Sequence, residues 1–306
     1  VLKNHRGELY IFLGALTFSV NGIVSTVVLE ELSAFRLAQI RAISAFALLI
    51  IFALIFKRDL LRLSKADIPL AVALGVVGFA LVNVGYFLGI ERGLPLGLVL
   101  VIEFTAPIWV ALWIKYVRKG NVSEDMWIAI GLSLIGLVLL TKIWDGFKFD
   151  LLGLAAALGS AFALAGYFLM GEKFGKNRHP MGSTIIGLGV ASIFWILVLP
   201  IWNFPTDIFS KDLDLHGYLA GNQYPGWVLL LWIVVMGTIV PYLFVISGLR
   251  ILSASKSSVL GMIEPVLAGG LAWIWLSQGW DLIQLMGALV VLIGIYIADR
   301  SKTVAA

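Results

Sequence analysis

The sequence predicts an all-α membrane protein with ten transmembrane helices in two inverted five-helix repeats. Three observations predict it. Hydrophobic residues make up 60% of the 306 positions and charged residues only 13%, more apolar surface than a water-soluble domain of this length can hide. The apolar residues gather into ten runs, most near the ~20 residues that cross ~30 Å of hydrocarbon at 1.5 Å per residue. A stretch around Pro107, GIERGLPLGLVLVIEFTAPIWVAL, also returns around Pro265 as GLRILSASKSSVLGMIEPVLAGGL, 158 positions later. The same interval relates Arg92 to Arg250 and Gly136 to Gly294. Each copy holds five segments, an odd number, so the second copy enters the bilayer with opposite polarity.

The ten predicted helices cover 9–30, 34–56, 67–91, 94–116, 126–142, 152–172, 182–202, 227–249, 255–276 and 281–299, and the fifth is short. The first matches the sixth at an interval of 145, through Leu13-Gly14 and Leu158-Gly159. The third to fifth match the eighth to tenth at 158. The extra residues fall in one loop, near 203–226, so the repeats are assigned to 1–146 and 147–306. That loop carries Asp207, Asp212 and Asp214 and is edged by Trp202, Tyr218, Tyr224 and Trp227, residues that suit the headgroup level. It is expected to be an outer-surface insertion with a short interfacial helix, a lid over the site being the less favoured role.

Charge sets the orientation. Most of the 22 lysines and arginines fall at the two ends or after even-numbered segments, as at Lys57, Arg58, Arg62, Lys65, Lys115, Arg118 and Lys176. By the positive-inside rule both termini are cytoplasmic. The formal net charge of +4 then reflects loop bias rather than a nucleic-acid partner. The first apolar segment is too long for a secretory signal and lacks a small-residue cleavage site, so it reads as a retained helix. The tail from Ser301 to Ala306 is expected to be disordered.

Several chemistries are excluded by inventory. There is no cysteine, hence no disulfide or thiolate metal site. The histidines, His5, His179 and His216, all fall in loops, and no HExxH or GxxxxGK[ST] pattern exists. All aspartates sit at helix ends or in loops, which removes an intramembrane aspartyl mechanism. No metal, cofactor or catalytic residue is expected. A non-transporting scaffold is the remaining rival, and it gains nothing from buried acids.

The residues that cost free energy in lipid mark the site. A carboxylate at a helix centre costs at least ~2.5–3.5 kcal/mol on insertion scales. Glu103 and Glu264 are each the tenth residue of their predicted helix, near mid-depth, and each stands close to a proline, Pro107 or Pro265. Proline removes a backbone donor and bends the helix, which is tolerable only beside protein or a wet cavity. Inverted repeats with a broken helix in each half place a solute site at the midplane. Asn21 and Thr17, Asn83 and Tyr86, Tyr167, and Tyr242 beside Pro241 add hydrogen-bonding groups. Phe104 and Trp109 add aromatic walls suited to a small amphipathic solute. Each such polar group can also serve only as interhelical glue. Lys256 shares a helix face with Leu260 and Glu264 and is assigned either as a cytoplasmic gate cation facing the cavity or as a snorkelling rim residue. Arg41 reads as a structural ion-pair partner, and Glu91 and Arg92 as solvated cap residues. Gly131, Gly136, Gly287 and Gly294 mark closely packed helices.

The stretches ERGLPLGLVLVIEFTAPIWVAL, LRILSASKSSVLGMIEPVLAGGLAW and QLMGALVVLIGIYI resemble the repeat signatures and last helix of the EamA family, within the drug/metabolite transporter superfamily. ALGSAFALAGYFLMGEK and VPYLFVISGLR, with PLG, IEF and Pro in the fourth helix, are most similar to its threonine/homoserine exporter branch. The resemblance spans essentially the whole chain. It implies ten helices around a central cavity and export of amino acids or related metabolites, here expected from a bacterial inner membrane by alternating access. Sister branches export aromatic amino acids, or cysteine and its precursors, and the alternative is an exporter of aromatic amino acids or other metabolites or drugs of the same superfamily. Coupling to protons and uncoupled transport are both compatible. Two positions depart from the branch: Gln278 replaces a glutamate after the ninth helix, and Leu164 replaces a tryptophan in the sixth.

Overall fold

The structure, a computed structural model, describes residues 5–144, 150–176, 178–276 and 279–301. Gln278 and most of the C-terminal tail lie outside the described residues, as do Lys3, Lys148 and Lys302. Among the described residues ten helices are long and apolar enough to cross a membrane: α1 (Arg6–Leu29), α2 (Ala34–Phe56), α3 (Lys65–Glu91), α4 (Leu96–Val117), α5 (Glu124–Thr141), α6 (Leu151–Gly175), α7 (Pro180–Val198), α8 (Gly226–Leu249), α9 (Ala254–Trp275) and α10 (Leu282–Arg300). The predicted α2 bounds coincide with the observed ones, and α5, at 18 residues, is the shortest span. The helices begin where a side chain can satisfy the free amides of a first turn. Ser33, Ser123 and Ser253 accept from the amide three residues on, and Asp281 forms a capping box with Gln284. Gly93, at φ 84°, makes the tight turn from α3 to α4, a conformation that glycine adopts without strain.

The inversion is written into one seam. α5 and α10 pack side by side with their backbones in near contact. A methyl built on Gly136 would stand 2.7 Å from the Gly287 carbonyl oxygen, and one on Gly294 would stand 2.8 Å from the Ala129 oxygen. Gly287 also abuts Leu140. As α5 runs forward from Ala129 to Leu140, its partners on α10 run backward from Gly294 to Gly287, so the two helices are antiparallel. The 158-residue interval maps Gly136 onto Gly294 and Ala129 onto Gly287. The two contacts are therefore images of each other under the repeat, as an inverted pair requires. Gly131 differs from the expectation: nothing lies within 4 Å of its direction, and it faces away from the seam.

The repeats also share their irregularities. In α3, residues Leu74–Leu81 widen into π-helical turns, and in α8 residues Val235–Ile239 do the same; Val77 and Val235 are equivalent by the repeat. α4 breaks at Phe104 and Thr105, and α9 breaks at Met262, the repeat equivalent of Phe104. At these breaks the bonds tighten to three-residue steps, Thr105 N–H to Ile102 O at 3.1 Å and Met262 N–H to Val259 O at 3.0 Å. Pro107 and Pro265 follow within three residues, each removing the amide that would have continued the ladder.

The long loop corrects an expectation. No interfacial helix forms in 203–226. The segment folds as short 3-10 turns and a two-stranded antiparallel ribbon, β1 (Asp212–Asp214) with β2 (Gln223–Pro225), Leu213 opposite Tyr224. Ile208, Leu213 and Leu215 are buried beneath it. Trp275 Nε1 donates to Leu215 O at 3.0 Å, Lys211 pairs with Glu31, and His216 Nε2 lies 3.1 Å from Glu30. Trp202, Tyr218, Tyr224 and Trp227 remain exposed, as interface anchors are.

The seam yields a stability prediction. Gly136→Ala forces a methyl into backbone and lowers the thermal stability of the purified protein, by ~1–3 kcal/mol for an overpacked contact. Gly131→Ala leaves it unchanged. Equal melting temperatures for the two variants in one detergent would show that the seam is loosely packed.

Candidate functional site

The wide turn of α3 and the breaks of α4 and α9 border one partly open space near the middle of the spans. It is walled by α1, α2, α3, α4, α6, α8 and α9, and leaves about 90 Å³ in which the centre of a water molecule fits, room for several waters or one small solute. Asn21, Asn83, Tyr86, Glu103, Phe104, Tyr167, Tyr242 and Glu264, singled out from the sequence, all line it. They come from six helices, so no local pattern brings them together.

Aromatic rings form one wall. Tyr242 packs on Phe79 at 4.4 Å between ring centroids and meets Phe18 at 5.5 Å and Tyr167 at 5.7 Å. Asn83 Nδ2 donates to the Tyr242 hydroxyl at 2.7 Å and to Phe79 O at 2.7 Å, which links the wide turn of α3 to Pro241 and the start of the regular part of α8. Two buried polar atoms in the wall have no hydrogen-bond partner, Asn21 Oδ1 and the Tyr167 hydroxyl. Buried polar groups normally find partners, so these two stand out as unsatisfied within the wall.

Glu103 ends the first half of α4, and Glu264 stands in the first turn of the second half of α9. Glu103 is 6% exposed, and its Oε1 lies 2.6 Å from Ser160 Oγ, which is also 2.9 Å from Val82 O. A hydroxyl carries one proton. When Glu103 is protonated, it donates to Ser160 while Ser160 donates to Val82 O. When it is ionised, it needs the Ser160 proton and Val82 O loses that bond. Ser160 thus couples the proton on Glu103 to the backbone of α3. Ser19 Oγ lies 2.9 Å from Glu264 O, so α1 supports the exposed backbone at the α9 break.

Several residues stand elsewhere than expected. Arg41 has no carboxylate partner among the described residues. It is 3% exposed, lines the cavity, and donates to Thr238 Oγ1 at 3.0 Å and Gly237 O at 2.7 Å. Trp109 does not line the cavity and packs against Phe162, the ring centroids 4.4 Å apart. Thr17 turns its hydroxyl back to Leu13 O and Gly14 O. Pro107, Pro241 and Pro265 shape the walls but do not line them. Ser160 and Ser19 carried no signal in the sequence, since small hydroxyls are common in packed helices. The depth of Arg41, two turns inside α2, was the available clue to its place.

Comparison with known proteins decides the family. The model of the EamA-like transporter family matches this chain twice, over residues 5–142 and 151–298. The chain belongs to the EamA-like transporter family. The uncharacterized transporter YdfC of Bacillus subtilis is 23% identical over 266 residues, 87% of this chain and 80% of that one. The threonine/homoserine exporter RhtA of Escherichia coli K12 is 27% identical over 245 residues, 77% of this chain and 73% of the exporter. A solved crystal structure superposes with a TM-score of 0.73 at 15% identity, over 95% of this chain and 96% of that one, which supports the same fold. This EamA-like chain is therefore a multi-pass membrane transporter.

Ion pairs tie the two EamA-like halves at both faces. On the face that holds both chain ends, Lys256 Nζ lies 2.8 Å from Glu8 and 2.8 Å from Asp299. Lys256 does not face the cavity; its reach along α9 is spent on these two acids at the rim. His5, Glu8 and Asp299 come close enough together to suggest a cation site, but the Lys256 ammonium already sits among them. On the same face Arg118 and Lys176 hold the buried Glu172 at 2.8 and 2.9 Å. On the opposite face Arg92 of α3 pairs twice with Asp150 at the start of α6, at 3.2 and 2.9 Å, and Lys142 pairs with Asp281 at 2.5 Å. Arg92 is thus an ion-pair partner rather than only a solvated cap, and Glu91 accepts from Ala34 N–H at 2.6 Å.

The Arg92 hydrogen bond, with the Gly153 amide, holds the Asp150 carboxyl below the ordinary aspartate range. A depressed acid stabilises the fold above its unfolded value, about 3.9, and loses that effect as pH falls through the folded value. Asp150→Asn therefore lowers the melting temperature by a constant amount from pH 5 to 8, the gap to wild type closing only below about pH 4. A gap that varied between pH 6 and 8 would show that another group controls the tie.

Proposed function

We propose that this EamA-like transporter exports small neutral amino acids of the threonine and homoserine kind from the cytoplasm by alternating access. The observation that carries the reading is the cavity itself: aromatic-walled and mainly apolar with a few buried polar groups, between the two repeats, with a carboxylate at the break of one helix from each. The similarity to RhtA supports the substrate class. The proposed substrate contacts are Asn21, Asn83, Tyr86, Glu103, Phe104, Tyr167, Tyr242 and Glu264. The aromatic wall also suits a larger side chain, so aromatic amino acids are the second reading.

In this reading α3, α4, α8 and α9 rock against α1, α2, α6 and α7, with the paired breaks near Pro107 and Pro265 and the wide turn before Pro241 as flexible points. Opening one face requires breaking its ion pairs while the other set holds, and each set spans both repeats. The Glu103–Ser160–Val82 arrangement offers a route from protonation to the position of α3, which supports proton-coupled export. Both chain ends face the cytoplasm, the side on which lysine and arginine concentrate.

Efflux of radiolabelled threonine from preloaded cells tests the reading. Glu103→Gln and Glu264→Gln each reduce the efflux rate by at least ~10-fold, the effect of ~1.4 kcal/mol at 25 °C. Glu103→Gln also flattens its dependence on external pH. Unchanged efflux in both variants removes the carboxylates from transport. Efflux of phenylalanine but not threonine moves the assignment to the second reading.

A further inference from the structure

Arg41 is a cation inside the bilayer span with an unfinished set of partners. A guanidinium carries five N–H donors. Nε uses its one on Thr238 Oγ1, which itself donates to Ile233 O, and Nη2 uses one on Gly237 O. The Phe87 ring covers one face, 5.1 Å from its centroid. Three N–H groups remain, both of those on Nη1 among them. A charge held at this depth is costly without a counter-charge, and no Asp or Glu supplies one among the described residues.

The missing counter-charge is not absent from the cavity. Glu103 and Glu264 line the same space as Arg41, yet neither forms an ion pair with it. Tyr86 lines the cavity together with all three. If neutralising Arg41 were the only requirement, direct pairing with either acid would meet it at once. Keeping the cation apart from the two acids leaves a cavity with a positive wall and a separate acidic wall. Asn21 Oδ1 is 4% exposed at the residue level, has no partner, and packs against Gly237, whose carbonyl Arg41 holds. The unmet donors and acceptors thus converge on one space.

We propose that Arg41 is the carboxylate anchor of the transport site, so that the cavity selects zwitterionic α-amino acids with a free carboxylate. This deepens the amino-acid reading above and rests on it. The remaining Nη1 and Nη2 protons donate to the two carboxylate oxygens, the fork geometry that favours arginine over lysine. The ammonium group turns toward Glu103, Glu264 and Asn21 Oδ1. Arg41 acts by contact with the solute, while its bonds to Thr238 and Gly237 fix the guanidinium to the wide turn of α8.

The test is counterflow of radiolabelled L-threonine in proteoliposomes of the purified full chain, with unlabelled L-threonine or L-threoninamide as competitor. In wild type the free acid competes at least ~10-fold better than the amide, which cannot accept charge-assisted hydrogen bonds at both oxygens. Arg41→Gln brings the two competitors to equal strength, and Arg41→Lys narrows the gap without closing it. Equal competition by acid and amide in wild type overturns the assignment without any variant, which covers the case in which Arg41→Gln does not fold. A purely structural arginine would weaken both competitors alike in the variants and leave their ratio unchanged, which also overturns it. Threonine counterflow with an unchanged ratio sinks the anchor alone; no amino-acid counterflow at all sinks the amino-acid reading and the anchor with it.

Discussion

Hydrocarbon offers no hydrogen bonds, so a helix that crosses it can break only where protein or water completes the backbone. Among the described residues four spans break or widen. The breaks of α4 and α9 and the wide turns of α3 and α8 fall in equivalent places in the two repeats, while a further wide turn at Trp113–Val117 of α4 has no counterpart in α9. The consequence is geometric. Four irregular backbones need polar company at the same depth, and the fold provides it by turning them toward one another. The cavity is where that need is met. Its polar lining, from Asn83 bonded to Tyr242 to Ser19 supporting the backbone at Glu264, follows from the breaks as much as from any solute.

The other half of the architecture is the closely packed seam of α5 and α10. Glycines there let backbones touch, and dispersion contacts replace the hydrophobic effect that lipid does not supply. The seam stands apart from the helices that line the cavity. One part of the molecule is tight, self-complementary and apolar, and the other is interrupted, polar and tied at its ends by ion pairs. A transporter needs this division: a fixed partner surface, and spans whose joints can bend.

Much of the fold was legible in the sequence because bilayer thickness fixes helix length and the repeat fixes polarity. The α2 bounds and the shortness of α5 were readable for that reason, and so was the inversion. The site was readable in part, because a carboxylate or asparagine inside a span stands out against its cost. Glu103, Glu264 and Asn21 stand out on that basis, and all three line the cavity. What the sequence could not carry was orientation about a helix axis. Trp109 and Phe104 lie on one helix, yet one packs on Phe162 and the other lines the cavity, because five residues turn a helix by about 140° and composition does not say which face meets the site. Lys256 shares a face with Glu264 in an unbroken helix; the break at Met262 and the acids Glu8 and Asp299 hold it at the rim. Arg41 was misassigned because a buried arginine suggests a neighbouring acid, whereas its donors go to a hydroxyl and a carbonyl of α8. The long loop was misassigned because its polar, aromatic-edged composition fits a surface helix as well as a ribbon, and only the pairing of β1 with β2 distinguishes them.

The central claim is that the space between the inverted halves is wet and opens to each face in turn. The chain has no cysteine, so a single Leu164→Cys at the cavity wall gives one reporter for a membrane-impermeant thiol reagent. The expected result is modification when the reagent is applied from either face of sealed vesicles, slowed from both faces by saturating threonine. No modification from either face would contradict the claim.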